Sequence, residues 1–176
     1  IGIGYLIYQS QTPKEIVQPT QQPSETPTFV LDPQNCTYNI ENQKVTLVNG
    51  YSEQEVAPGS ASKTITKYFG NEVSGDFNND GFTDVAFLLT QETGGSGTFY
   101  YVAVALGSKD KCNGTNAIFL GDRIAPQATN FQNGEIIANY ADRKPDEPMT
   151  ATPSVGVSRY FKIIGNNLEE SAKPTL

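Results

Sequence analysis

The sequence predicts a mainly β domain, an antiparallel sheet or small β-sandwich with long loops and few or no helices. Three observations carry that expectation. Apolar residues fall in short runs separated by Gly, Pro, Asn and Asp, which is the pattern of strands and turns. No stretch holds a helical period over helical length. Two runs, 85–89 and 99–106, are apolar at every position, as central strands covered on both faces require.

The elements follow in chain order. Thr37 to Ile40 and Lys44 to Val48 flank the polar triplet Glu41, Asn42, Gln43 and predict a hairpin. Residues 63–69 alternate Thr with β-branched residues and predict a strand; Ile65, Tyr68 and Phe69 also fit a short helix before Gly70. Between the two central strands, Gly94, Gly95 and Gly97 supply the positive φ angles that a tight reversal needs. Later strands are expected at 117–120, 135–140 and 158–164, which places the folded domain at 35–165 and leaves 166–176 as a flexible tail.

The amino-terminal end has a different composition. Residues 1–8 (IGIGYLIY) are apolar but too few to cross a bilayer, which takes about 20 residues. They are read as the end of a signal or membrane anchor, with a buried first strand as the alternative. Asn35 before Cys36 does not suit a lipidation site. Residues 9–34 hold five of the eleven prolines among Gln, Thr, Ser and Glu. Such a segment buries too little to offset its ordering entropy and forms a semi-rigid stalk. The anchor and stalk predict a domain facing outward from the cytoplasmic membrane. In that oxidising setting the two cysteines, Cys36 and Cys112, are expected to pair.

Composition excludes several chemistries. Histidine is absent, so there is no Ser-His-Asp or Cys-His nucleophile system and no imidazole base. A net charge of −7 opposes binding to nucleic acid. Ser60 to Lys63 matches S-x-x-K without the other elements of penicillin-recognising enzymes, and the run at 94–98 misses G-x-S-x-G at its last position. Asn35 and Asn113 begin glycosylation sequons that matter only in a glycosylating host.

One constellation carries chemistry. Asp76, Asn78, Asp80 and Asp84 stand at positions 1, 3, 5 and 9 of a loop with Gly81 at position 6, and the carbonyl of Phe82 falls at position 7. That all-oxygen spacing suits Ca²⁺, which takes six to eight oxygens at about 2.3–2.6 Å. No Lys or Arg lies between Tyr68 and Ser108, whereas Glu72, Asp76, Asp80, Asp84 and Glu92 do, so nothing local in sequence neutralises the carboxylates. Phe87 stands where an EF-hand would place its Glu. The loop resembles the D-x-N-x-D-G-x-x-D calcium loops of FG-GAP and VCBS-type repeats. The resemblance covers nine residues and implies a structural Ca²⁺ between two strands, not a propeller.

Asp122-Arg123 and Asp142-Arg143 repeat an acid–base pair in two late loops. They are read either as surface ion pairs of under about 1 kcal/mol or as a polar pocket gripping a ligand carboxylate or peptide. The stretches GTNAIFLGDRIAPQ (114–127), NYADR (139–143), EPMT (147–150) and PSVGV (153–157) resemble a group of small exported proteins from largely uncultured bacteria. That resemblance covers about 36–164 and implies a cell-envelope setting without an activity. The expected role is a tethered, calcium-stabilised, non-catalytic domain that binds an envelope protein, peptide or glycan. The alternatives are an envelope hydrolase using carboxylates or the metal, and an inhibitor of a foreign hydrolase such as lysozyme.

Overall fold

A computed structural model describes residues 1–4 and 29–173 of the chain. Ile1 and Ile3 are exposed and lie in no strand. The rest of the expected anchor, most of the stalk and residues 174–176 lie outside the described residues. No described helix is long and apolar enough to cross a membrane.

The protein is mainly β, in two sheets. Among the described residues, twelve strands follow a 3₁₀ turn at Pro33–Asn35. They are β1 Thr37–Ile40, β2 Gln43–Thr46, β3 Tyr51–Glu55, β4 Lys63–Gly75, β5 Asp84–Glu92 and β6 Phe99–Leu106. The remainder are β7 Asn113–Gly114, β8 Asn116–Asp122, β9 Ala125–Gln132, β10 Glu135–Asp142, β11 Val155–Ile164 and β12 Asn167–Ser171. The large sheet runs β2-β1-β8-β6-β5-β4-β3, with β7 on the end of β6; the small one runs β12-β11-β10-β9. All pairings are antiparallel except β1 with β8, which is parallel.

The expected hairpin forms as β1 and β2. Its turn works because Glu41 and Asn42 both adopt positive φ, 48° and 68°, the backbone a two-residue hairpin needs. Residues 63–69 are strand, not helix, and β4 continues to Gly75. It does so through register shifts around Gly70 (φ +93°) and Asn71 (φ +55°), which bend the strand without ending it.

β5 and β6 are buried on both faces, and their alternation divides the core in two. Ala86, Leu88, Val102, Val104 and Leu106 face the small sheet, meeting Ile136, Ala138, Tyr140, Phe161 and Leu168. Val85, Phe87, Leu89, Tyr101, Ala103 and Ala105 face the opposite way, into the curl of the large sheet, where Tyr38, Ile40, Val45 and Leu47 lie. Phe87 sits opposite Ala103 in the ladder, so the small residue leaves room for the large one. Its ring packs 5.3 Å from Tyr38 and 4.8 Å from Tyr68. The edges of the large sheet return toward each other: Gln54 Nε2 on β3 donates to the Lys44 carbonyl on β2 at 2.9 Å, giving a nearly closed barrel.

Cys36 and Cys112 form a disulfide, with Cα atoms 5.8 Å apart. The bridge joins the start of β1 to the loop before β7 and tucks Cys36 into the inner core.

Two expected boundaries move. The stalk ends before 34, because Leu31 packs on the inner core and Pro33 is buried, its carbonyl accepting from the Tyr38 hydroxyl. The expected tail from 166 carries β12 instead. Leu168 is buried there, and its backbone N–H and C=O both bond the Asn116 side chain, at 2.9 and 3.0 Å.

Candidate metal loop and ligand pockets

The loop from Asp76 to Thr83 joins β4 to β5, whose ends pair at Gly75 and Asp84. Asn79 (φ +60°) and Gly81 (φ +87°) turn the chain sharply. Asp76 accepts from the amides of Asp80 at 3.1 Å and Gly81 at 3.0 Å. Asn78 Oδ1 accepts from Asp80 N, and Asp80 Oδ1 accepts from Phe82 N. Asn78 Nδ2 also donates to Asp80 Oδ2 at 2.9 Å. Asp76, Asn78 and Asp80 are thus brought into one bend, while Phe82 projects into solvent.

Asp84 behaves differently. It is 0% exposed, and its two carboxylate oxygens accept from Phe77 N at 2.8 Å and Gly107 N at 2.9 Å. It therefore ties the start of the loop to the chain leaving β6. Burial pushes its pKa up; the two amides oppose that, and the charges of Asp80 and Asp76 reinforce it. Gly107 admits this contact because a Cβ there would lie 2.2 Å from the Thr83 carbonyl oxygen. Phe77 anchors the other side of the loop, its ring 4.7 Å from Phe131 on β9.

Among the described residues no three His, Cys, Asp or Glu side chains form a ready metal cage, and no Lys or Arg forms a salt bridge with Asp76, Asp80 or Asp84. The donors gathered in the bend are all oxygens, the chemistry a hard divalent cation takes.

The two Asp-Arg pairs come together at the ends of β8 and β10. Arg123 (φ +51°) folds back on its neighbour Asp122, whose Oδ1 also accepts from Thr98 N. Arg143 is held by backbone: Nε donates to the Ala151 carbonyl at 2.7 Å, and Nη1 to those of Arg123 at 3.0 Å and Asp122 at 3.3 Å. Asp142 Oδ1 accepts from Arg143 N. Asp122, Asp142 and Arg143 line one open cavity of about 370 Å³ with Lys144, Glu147 and Met149; Arg123 is not among its lining residues. These groups hold loops together, and both acids already have partners.

A second cavity, of about 210 Å³, opens at the mouth of the curled sheet and is lined by Glu41, Gln91, Thr93, Phe99, Tyr101 and Phe119. Nothing in the local sequence marks it: Glu41 reads as a turn residue, and Phe99, Tyr101 and Phe119 read as strand. The β1–β8 and β8–β6 pairings bring Glu41 to Tyr101, 60 residues away.

No family model, no curated protein and no solved structure matches this chain.

Proposed function

We propose that the chain is the outward-facing domain of a membrane-tethered bacterial envelope protein, stabilised by calcium, that binds a protein, peptide or glycan without transforming it. The Cys36–Cys112 disulfide is the observation that carries this reading, because such bonds persist in oxidising compartments and are rare in the cytosol. The proline-rich residues ahead of the domain supply the tether. Asp76, Asn78, Asp80, Phe82 and Asp84 are the ligands this reading gives to calcium. Bound there, the ion would neutralise three carboxylates that no basic side chain among the described residues neutralises, and pin β4 to β5.

The test uses the complete protein in its native cells. It is expected in the membrane fraction, cleaved by protease added outside the cytoplasmic membrane, with Cys36 and Cys112 oxidised. A protease-protected soluble protein with both thiols free would overturn the assignment.

A further inference from the structure

The pocket at the mouth of the curled sheet serves neither the metal loop nor the disulfide. Its floor is fixed: Tyr101 is 3% exposed and Gln91 7%, and the Gln91 amide donates to Thr66 Oγ1. Its rim is open, with Phe119 45% exposed. The Phe119 ring lies 5.4 Å from Tyr101 at 59° and 6.3 Å from Phe99 at 52°. The three rings therefore form an angled wall, not one flat face.

Glu41 enters this wall from the β1–β2 turn. Its Oε1 accepts from the Tyr101 hydroxyl at 2.8 Å, and among the described residues its Oε2 has no protein partner. Among the described residues no Lys or Arg lines the pocket, and the whole chain carries −7. An anion would meet an unneutralised carboxylate, and a neutral ligand would draw nothing from its charge. A cation gains both from the carboxylate and from the negative faces of aromatic rings. The volume falls below the ~300–1,000 Å³ of drug-sized sites, so a small group fills it. Glu41 Oε2 and the oxygens of Gln91 and Thr93 favour a cation that can also donate hydrogen bonds. A primary ammonium has three such donors and a quaternary one has none.

We propose that this pocket binds the primary ammonium of a lysine side chain presented by a peptide or protein. The assignment rests on the reading of the domain as a binding module and names what that module recognises.

The test is NMR titration of the whole chain with four probes: lysine capped at both ends, the same compound acetylated at Nε, choline, and N-acetylglucosamine. Capped lysine should saturate and shift the resonances of Phe99, Tyr101 and Phe119, and Nε-acetylation should weaken binding about tenfold or more. Glu41→Gln removes the charge but keeps an acceptor for the Tyr101 hydroxyl, and it should weaken lysine binding by a similar factor. Phe119→Leu, at an exposed position, should weaken it severalfold, with melting temperatures unchanged in both variants. Equal binding of lysine and acetyl-lysine, tighter binding of choline, or indifference to both substitutions would overturn the assignment. Binding of the sugar alone, lost in Phe119→Leu, would overturn the ammonium ligand and leave the binding module standing. Silence from all four probes would overturn it too, while the cell-fractionation result judges the broader reading separately.

Discussion

Replacing Asp84 by alanine should loosen the joint between the loop and the sheet whether or not calcium is present. The carboxylate is fully buried and serves two backbone donors, Phe77 N and Gly107 N. Alanine leaves both amides without an acceptor, and each buried orphan costs about 1–3 kcal/mol. Part of that loss is recovered, because burial already disfavours the charged carboxylate and raises its pKa. A net loss of about 2–4 kcal/mol follows, or a melting temperature about 4–16 °C lower for a chain of this size. Asp80→Ala is the matched contrast. Asp80 is exposed and its side chain bonds only within the loop, so without calcium its loss should cost about 0.5 kcal/mol. Thermal unfolding followed by circular dichroism, with chelator and with millimolar calcium, separates the two roles. Asp84→Ala should melt early in both conditions, and Asp80→Ala only in calcium. If Asp84→Ala melts with the parent in chelator, its role as a backbone anchor is refuted.

Two further outcomes follow from the structure. Cys112→Ser opens a closure spanning 76 residues, worth about 4.5 kcal/mol in the chain-entropy treatment, so melting should fall by about 9–18 °C. Reductant should reproduce that shift in the parent protein, and an unchanged curve would contradict it. The Arg159 guanidinium forks onto Glu170 at 2.7 and 2.6 Å and holds that carboxyl below its ordinary value of 4.5. A lowered carboxyl pKa in the folded state contributes stability above the unfolded value, which is lost as pH falls through the folded one. Glu170→Gln should therefore flatten the acid side of the melting-temperature profile below about pH 4.5, a small and salt-sensitive effect because Glu170 is half exposed. An unaltered profile would remove the pair from the acid response.

The parts of the fold legible in the sequence are those where burial on two faces overrides everything else. Residues 85–89 and 99–106 announce the centre of the sheet because each residue packs into one core or the other. The β1–β2 hairpin is legible because the polar residues 41–43 separate two β-type runs, although positive φ at Glu41 is not something its residue type announces. β3, β9 and β12 are not. β3 is an edge strand written Tyr-Ser-Glu-Gln-Glu, paired only with β4 and without a fully buried residue. β9 contributes mainly Phe131 to the core, and β12 depends on one leucine and a side chain borrowed from β8. The β1–β8 pairing is parallel and joins segments more than 70 residues apart, a contact that no local pattern encodes. The same holds at the candidate sites. The spacing 1, 3, 5, 9 is local and readable, but the partners of Asp84 are not, since Gly107 reaches it from beyond β6. The aromatic pocket exists only once the sheet has curled.

The claim that the bend at 76–84 takes calcium meets its most direct trial in titration calorimetry of the whole chain. The account predicts saturable heat at one site per chain, with a dissociation constant on the order of 10⁻⁴ M. It also predicts about 2.7 kcal/mol of added stability at an ion concentration about a hundred times Kd, both absent in Asp80→Ala. No heat at millimolar calcium, or the same heat in Asp80→Ala, would contradict it.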